Sequence, residues 1–236
     1  GNNWIGSGDL FGGGGNYGAS GIGSSYVDPV VNLTQPLVAV GEGNNTIAYS
    51  LNGTTWRGLG KSIFIDGRGV VWNGDIYVAV GSGTNTIATS LDGINWTPGG
   101  NIFGSSQPSP FGFGVAWNGD KFVAVGQGGV NILYSSDGLT WSPGQGTPIS
   151  PPNPWFSVAW GGDKFVAGGN SNIAYSSDGI TWTAATQAPN VDVNAIVWGG
   201  DKFVAAVNDG TIFYSSDGNT WISANNGSKI FNITAY

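Results

Sequence analysis

An eight-residue phrase returns five times along this chain, and its spacing limits the fold more than any other feature. It reads YSLNGTTW at Tyr49–Trp56, TSLDGINW at Thr89–Trp96, YSSDGLTW at Tyr134–Trp141, YSSDGITW at Tyr175–Trp182 and YSSDGNTW at Tyr214–Trp221. The closing tryptophans, Trp56, Trp96, Trp141, Trp182 and Trp221, are 40, 45, 41 and 39 residues apart. A second phrase keeps step with the first: VVWNGDIYVAVG, VAWNGDKFVAVG, VAWGGDKFVAGG and IVWGGDKFVAAV. Self-similarity at such a period is the mark of a repeat architecture. Each period holds four short β-like runs, which in the third are FGVAW, KFVAVG, NILYSS and LTWSP. Asn118-Gly119 and Gly161-Gly162 suit the two φ > 0 positions of a type I′ hairpin turn. Asp137-Gly138 and its counterparts mark a second tight turn. Four antiparallel strands in every period predict an all-β chain built as a β-propeller.

The ends of the repeat predict how the ring closes. The first copy begins at Leu37–Gly41 with no V-x-W strand before it. The last copy runs past Trp221 to KIFNITAY, Lys229–Tyr236, which reads as a spare first strand with Tyr236 in the column of Trp72, Trp117, Trp160 and Trp198. Seating that strand beside Leu37–Trp56 gives five four-stranded blades over residues 36–236 and removes the free sheet edges. Residues 1–35 are then a Gly-rich N-terminal extension.

Composition narrows the chemistry. With 236 residues, 40 % of them hydrophobic, a full-sized core is available. There is no cysteine, hence no disulfide, thiolate nucleophile or zinc–thiolate site. There is no histidine, which removes the commonest general base and transition-metal ligand. Charged residues are 9 % of the chain, the net charge is −7, and seven basic residues make no phosphate-binding track, so nucleic acid is not expected as a partner. No run of 18 apolar residues exists, so no membrane span is expected. The first residue is Gly1 and the chain contains no Met, from which we expect a processed product. Six Asn-x-Ser/Thr sequons, at Asn32, Asn44, Asn52, Asn95, Asn226 and Asn232, permit glycosylation without arguing for it. A polar, weakly charged surface without thiols is expected of a secreted or surface-exposed protein.

The phrase S-x-D-G-x-T-W resembles the Asp-box, or BNR-type, repeat of sialidase-like β-propellers, though it is one residue shorter between Asp and Gly than the commonest spelling. The resemblance covers residues 37–236. It implies a hairpin between the third and fourth strands of each blade, with Asp92, Asp137, Asp178 and Asp217 holding the turn and the five tryptophans filling gaps between blades. It does not carry catalysis over. A sialidase would need three arginines gripping a carboxylate, and this chain has two, Arg57 and Arg68, with a single glutamate, Glu42. An ordinary glycosidase needs two carboxylates across a cleft, whereas most aspartates here sit in repeated turns. No catalytic residue is expected, nor any cofactor. Metal ligation is not expected either, since VDVN at Val191–Asn194 and VNDG at Val207–Gly210 lack the EF-hand spacing.

Two regions remain as candidate functional surfaces. The loops from a fourth strand to the next first strand vary most, as in TPGGNIFGSSQPSPFG and SPGQGTPISPPNPW. Their aromatics, Phe103, Phe111 and Trp155, are candidate platforms for a neutral glycan. The second region is residues 1–35, whose spaced Trp4, Ile5, Leu10, Phe11 and Tyr17 are more than a spacer needs. They are candidate anchors onto another copy of the chain, by strand addition or groove packing. The leading expectation is a non-catalytic structural subunit of a fibre, filament or particle surface, linked through residues 1–35. The alternative is a carbohydrate-binding propeller.

Overall fold

The computed structural model describes the backbone of residues 19–23 and, in full, residues 35–104, 109–146 and 153–224. Among the described residues every regular element is a β-strand. The chain divides into two compact units, Gly1–Gly100 and Asn101–Tyr236. In the first, β1 (Ala19–Gly23), β2 (Leu37–Gly41), β3 (Ile47–Ser50) and β4 (Arg57–Gly58) pair antiparallel in sequential order. The next four, β5 (Asp66–Trp72), β6 (Tyr77–Ser82), β7 (Ile87–Ser90) and β8 (Thr97–Pro98), repeat the arrangement. The second unit repeats it three times. Its groups are β9 (Phe111–Trp117) to β12 (Ser142–Pro143), β13 (Trp155–Trp160) to β16 (Thr183–Ala184), and β17 (Val193–Trp198) to β20 (Ile222–Ser223).

The repeated letters explain the repeated geometry. The V-A-V run of β2, β6 and β10 is apolar without alternation because those second strands are covered on both faces: every residue of β6 is buried. The tryptophan ending β5, β9, β13 and β17 meets the aromatic opening the second strand of its group. Trp72–Tyr77, Trp117–Phe122, Trp160–Phe165 and Trp198–Phe203 have centroids 4.2, 4.3, 4.7 and 4.6 Å apart. The box tryptophan adds a third ring, as in Tyr77–Trp96 at 6.2 Å and Phe165–Trp182 at 6.5 Å, distances at which tilted rings attract.

The hairpin between first and second strands differs from the type I′ expectation. Only the glycine takes a positive φ: 110° at Gly74, 100° at Gly119, 89° at Gly162 and 100° at Gly200. Asn118 acts instead through its side chain, whose Oδ1 accepts from the N–H groups of Asp120 and Lys121 at 2.9 and 2.6 Å. Asn73 does the same for Asp75 and Ile76. An asparagine that bonds the backbone two and three residues on forms the turn without leaving the favoured φ region itself.

The largest departure concerns closure of the first group. The place beside Leu37–Gly41, expected for Lys229–Tyr236, is taken by β1 from within residues 1–35. Its register, with Ala19 opposite Gly41, Ile22 opposite Ala39 and a shift between Ala19 and Gly21, copies that of β5 on β6, where the shift lies between Gly67 and Gly69. Residues 19–23 are thus a strand of the sheet, not an extension outside it. Tyr236 lies outside the described residues, as do Trp4, Ile5, Leu10, Phe11 and Tyr17.

Candidate functional site

The last four boxes are each a closed hydrogen-bonding circuit. In the third of the five, Asp137 Oδ1 accepts from Leu139 N–H at 2.8 Å, Thr140 N–H at 2.7 Å and the Ser135 hydroxyl at 2.9 Å. Gly138, at φ 75°, donates its N–H to Ser135 Oγ, and its carbonyl accepts the Trp141 indole N–H at 3.1 Å. Asp92, Asp178 and Asp217 stand in equivalent circuits that end on Trp96, Trp182 and Trp221. In the first box the amide oxygen of Asn52 replaces the carboxylate. The N–H of Thr140 and then that of Leu139 hold the Asp137 carboxyl below its ordinary range, and Asn95 does so for Asp92. For Asp178 and Asp217 burial is the largest influence and pushes upward, but the N–H donors together outweigh it. These carboxylates serve their own turns.

The loop aromatics do not form the expected platform, and this corrects the sequence reading. Phe103 is fully buried and Trp155 is 1 % exposed. Gly126 and Gly128 explain the burial of Phe103: a Cβ on Gly126 would stand 2.7 Å from the Phe103 ring and 2.1 Å from the Phe111 carbonyl oxygen. The two glycines vacate the space that the ring fills, as Gly81 does for Phe64. Trp155 belongs to a core cluster with Phe165 and Trp182. Phe111 keeps partial exposure, but as a β9 residue stacked on Phe113 at 5.6 Å.

The second unit shows what the chain does beside its later boxes. After β12, Gln145 donates its N–H to the Ile180 carbonyl at 2.7 Å and accepts the Trp182 N–H at 2.8 Å. After β16, the N–H of Thr186 bonds Asn219 Oδ1 at 3.0 Å, and Gln187 bridges to Thr220. The exit segment of one group is thereby zipped onto the box of the next, and Trp182 and Trp221 are 2 and 5 % exposed.

In the first unit the same place is open. The residue four after Trp56 is Gly60, as Gln145 is four after Trp141. Its N–H is taken by Asn45 Oδ1 at 2.8 Å and its carbonyl by the Thr46 N–H at 2.9 Å. The exit segment is therefore spent on its own group. A cavity of about 220 Å³ remains, bordered by Thr46, Leu59, Ser62, Ile63, Asn95 and Trp96. Nothing in the sequence marks it, because Trp96 sits in a phrase that also produces the buried Trp182. The distinguishing signal is what faces the box, and that depends on the turn after β4.

Among the described residues no cluster of three or more acidic, histidine or cysteine side chains is placed to hold a metal ion. Among the described residues, too, no helix is long and apolar enough to cross a membrane.

No family model matches the chain, and no curated protein matches it. Solved structures do. YCF48 bound to D1 peptide has a TM-score of 0.59 at 17 % identity, over 88 % of this chain and 67 % of that one. A GH74 enzyme of Niastella koreensis has a TM-score of 0.57 at 18 % identity, over 81 % of this chain and 29 % of that one. An extracellular domain from B. thetaiotaomicron reaches 0.65 at 12 % identity, over 91 and 29 %. The chain thus spans less than a third of two of these proteins. Together with the sequential four-stranded groups, the likenesses define a β-propeller fold.

Proposed function

We propose that this protein is a non-catalytic, extracellular structural subunit that assembles with copies of itself, the N-terminal segment of one copy supplying a strand to the next. On this reading the five four-stranded groups are five blades, and the box phrase is an Asp-box-like brace between third and fourth strands.

The observation that carries the proposal is how β1 is joined to β2. In every other group the first two strands are linked by four residues: Asn73–Ile76, Asn118–Lys121, Gly161–Lys164 and Gly199–Lys202. Between β1 and β2 lie residues 24–36, a connection more than three times as long. A tight turn forces a strand to come from its own chain, whereas a long connection lets the same backbone ladder form with a neighbour's strand. The β1 register needs only main-chain partners on Leu37–Gly41, which every copy offers. Donation in one direction is a heterologous contact, which builds open filaments when the rotation does not close. The weak surface charge and the absence of cysteine suit an exposed assembly. One structural neighbour is itself an extracellular domain.

Light scattering on a sizing column, followed by electron microscopy, tests the reading. The full chain is expected to form filaments or large assemblies, and residues 36–236 to remain without them. Assembly unchanged by the truncation, or by Trp4→Ala with Phe11→Ala, removes the N-terminal segment as the connector.

A further inference from the structure

We propose that the cavity beside Trp96 is a binding site for a single neutral sugar ring. This is independent of assembly, since every residue bordering the cavity lies between Thr46 and Trp96.

Four observations lead to that ligand. The Trp96 indole N–H is already given to the Gly93 carbonyl at 3.1 Å, so what the half-buried ring offers is its flat face. Aromatic faces of this kind attract the polarised C–H side of a pyranose as they attract other positive edges. The rim is polar but uncharged: the exposed Ser62 hydroxyl and the exposed Asn95 amide, whose nitrogen also donates to Asp92, provide hydrogen-bonding groups, and no lysine, arginine, aspartate or glutamate borders the space. A charged ligand would find no counter-ion here, while a neutral polyol finds the few directional groups that fix orientation in binding pockets. The volume, about 220 Å³, lies below the range typical of drug-sized ligands and suits one ring.

The fourth observation excludes an extended peptide. A peptide added along this edge would need main-chain partners, but the N–H and C=O of Gly60 and the N–H of Leu59 are bonded within their own group. The boxes ending at Trp182 and Trp221 show the contrast, since there the chain itself supplies the main-chain bonds beside the tryptophan. At Trp96 those bonds are withheld and the ring face left accessible. The site occupies the position of a structural contact that the boxes ending at Trp182 and Trp221 make.

The test uses the full chain labelled with ¹⁵N and titrated separately with glucose, galactose, mannose and N-acetylglucosamine. The Trp96 indole signal, identified among eleven tryptophans by its loss in Trp96→Phe, is the readout. We expect a saturable shift for at least one sugar, with a dissociation constant on the order of 1 mM for so few contacting atoms. Ser62→Trp, at an exposed position on the rim, fills the mouth of the cavity without touching the core and should weaken binding at least tenfold. Trp96→Ala should abolish it, and Ser62→Trp carries the test alone if Trp96→Ala does not fold. The proposal is overturned if none of the four sugars moves the Trp96 signal, or if the shift persists unchanged in Ser62→Trp.

Discussion

Replacing Asp137 separates the geometry of the box from its charge. Asp137→Ala removes three acceptor contacts, from Leu139 N–H, Thr140 N–H and the Ser135 hydroxyl. The turn is solvent-exposed, so the freed N–H groups recover water and the loss resembles that of a helix N-cap, about 1–2 kcal/mol. In a chain of this length that lowers the melting temperature by roughly 3–6 °C. Asp137→Asn keeps the accepting oxygen. Asn52 already performs that role in the first box, where its Oδ1 accepts from Thr54 and Thr55 at 3.0 and 2.8 Å. Asp137→Asn should therefore cost less than about 0.5 kcal/mol at pH 7. The depressed carboxyl adds a pH signature. Its contribution is present above the unfolded value of about 3.9 and is lost as pH falls through the lower folded value. The deficit of Asp137→Asn relative to the parent should accordingly shrink below pH 4. Thermal unfolding followed by circular dichroism across pH 2–7 reads all three quantities. If Asp137→Asn is as damaging as Asp137→Ala at neutral pH, charge rather than accepting geometry holds the turn, and the reasoning fails.

Three further outcomes follow from burial. Trp182→Ala, at a position 2 % exposed, should cost about 3–5 kcal/mol in urea unfolding, against about half as much for the half-buried Trp56. Gly126→Ala should cost about 3 kcal/mol, because its Cβ meets the Phe111 carbonyl at 2.1 Å; a neutral result would mean that the strand shifts freely. Tyr77 donates its hydroxyl to the Pro36 carbonyl, and burial pushes its ionisation up to about 12. Stability owed to that neutral hydroxyl is complete below pH 10 and lost as pH rises from 10 toward 12, so Tyr77→Phe should flatten the alkaline part of the stability profile.

How far the sequence revealed this structure depended on whether a feature was local. The strand order and the box hairpin are written in short phrases, and their periodicity carries them directly. The burial of Phe103 was hidden because it depends on Gly126 and Gly128, more than twenty residues away. The occupant of the place beside β2 was misassigned for a related reason. A closing V-x-W or I-x-W marks the other first strands, whereas ASGIG carries no such letters. The Trp96 cavity was illegible since its box differs little from the buried ones; the turn at Gly60 decides between open and zipped.

The central claim is that β1 is exchanged between copies, and a cysteine pair tests it directly in a chain that has no other cysteine. Ile22 and Ala39 are opposite each other in the β1–β2 register, the separation at which cross-strand disulfides form. With Ile22→Cys and Ala39→Cys in the full chain, mild oxidation followed by a non-reducing gel shows where each bond runs. The account predicts a ladder of covalent oligomers that grows with protein concentration and collapses to monomer on reduction. A single internally bridged monomer at every concentration would mean that β1 stays with its own chain, and the subunit reading would be wrong.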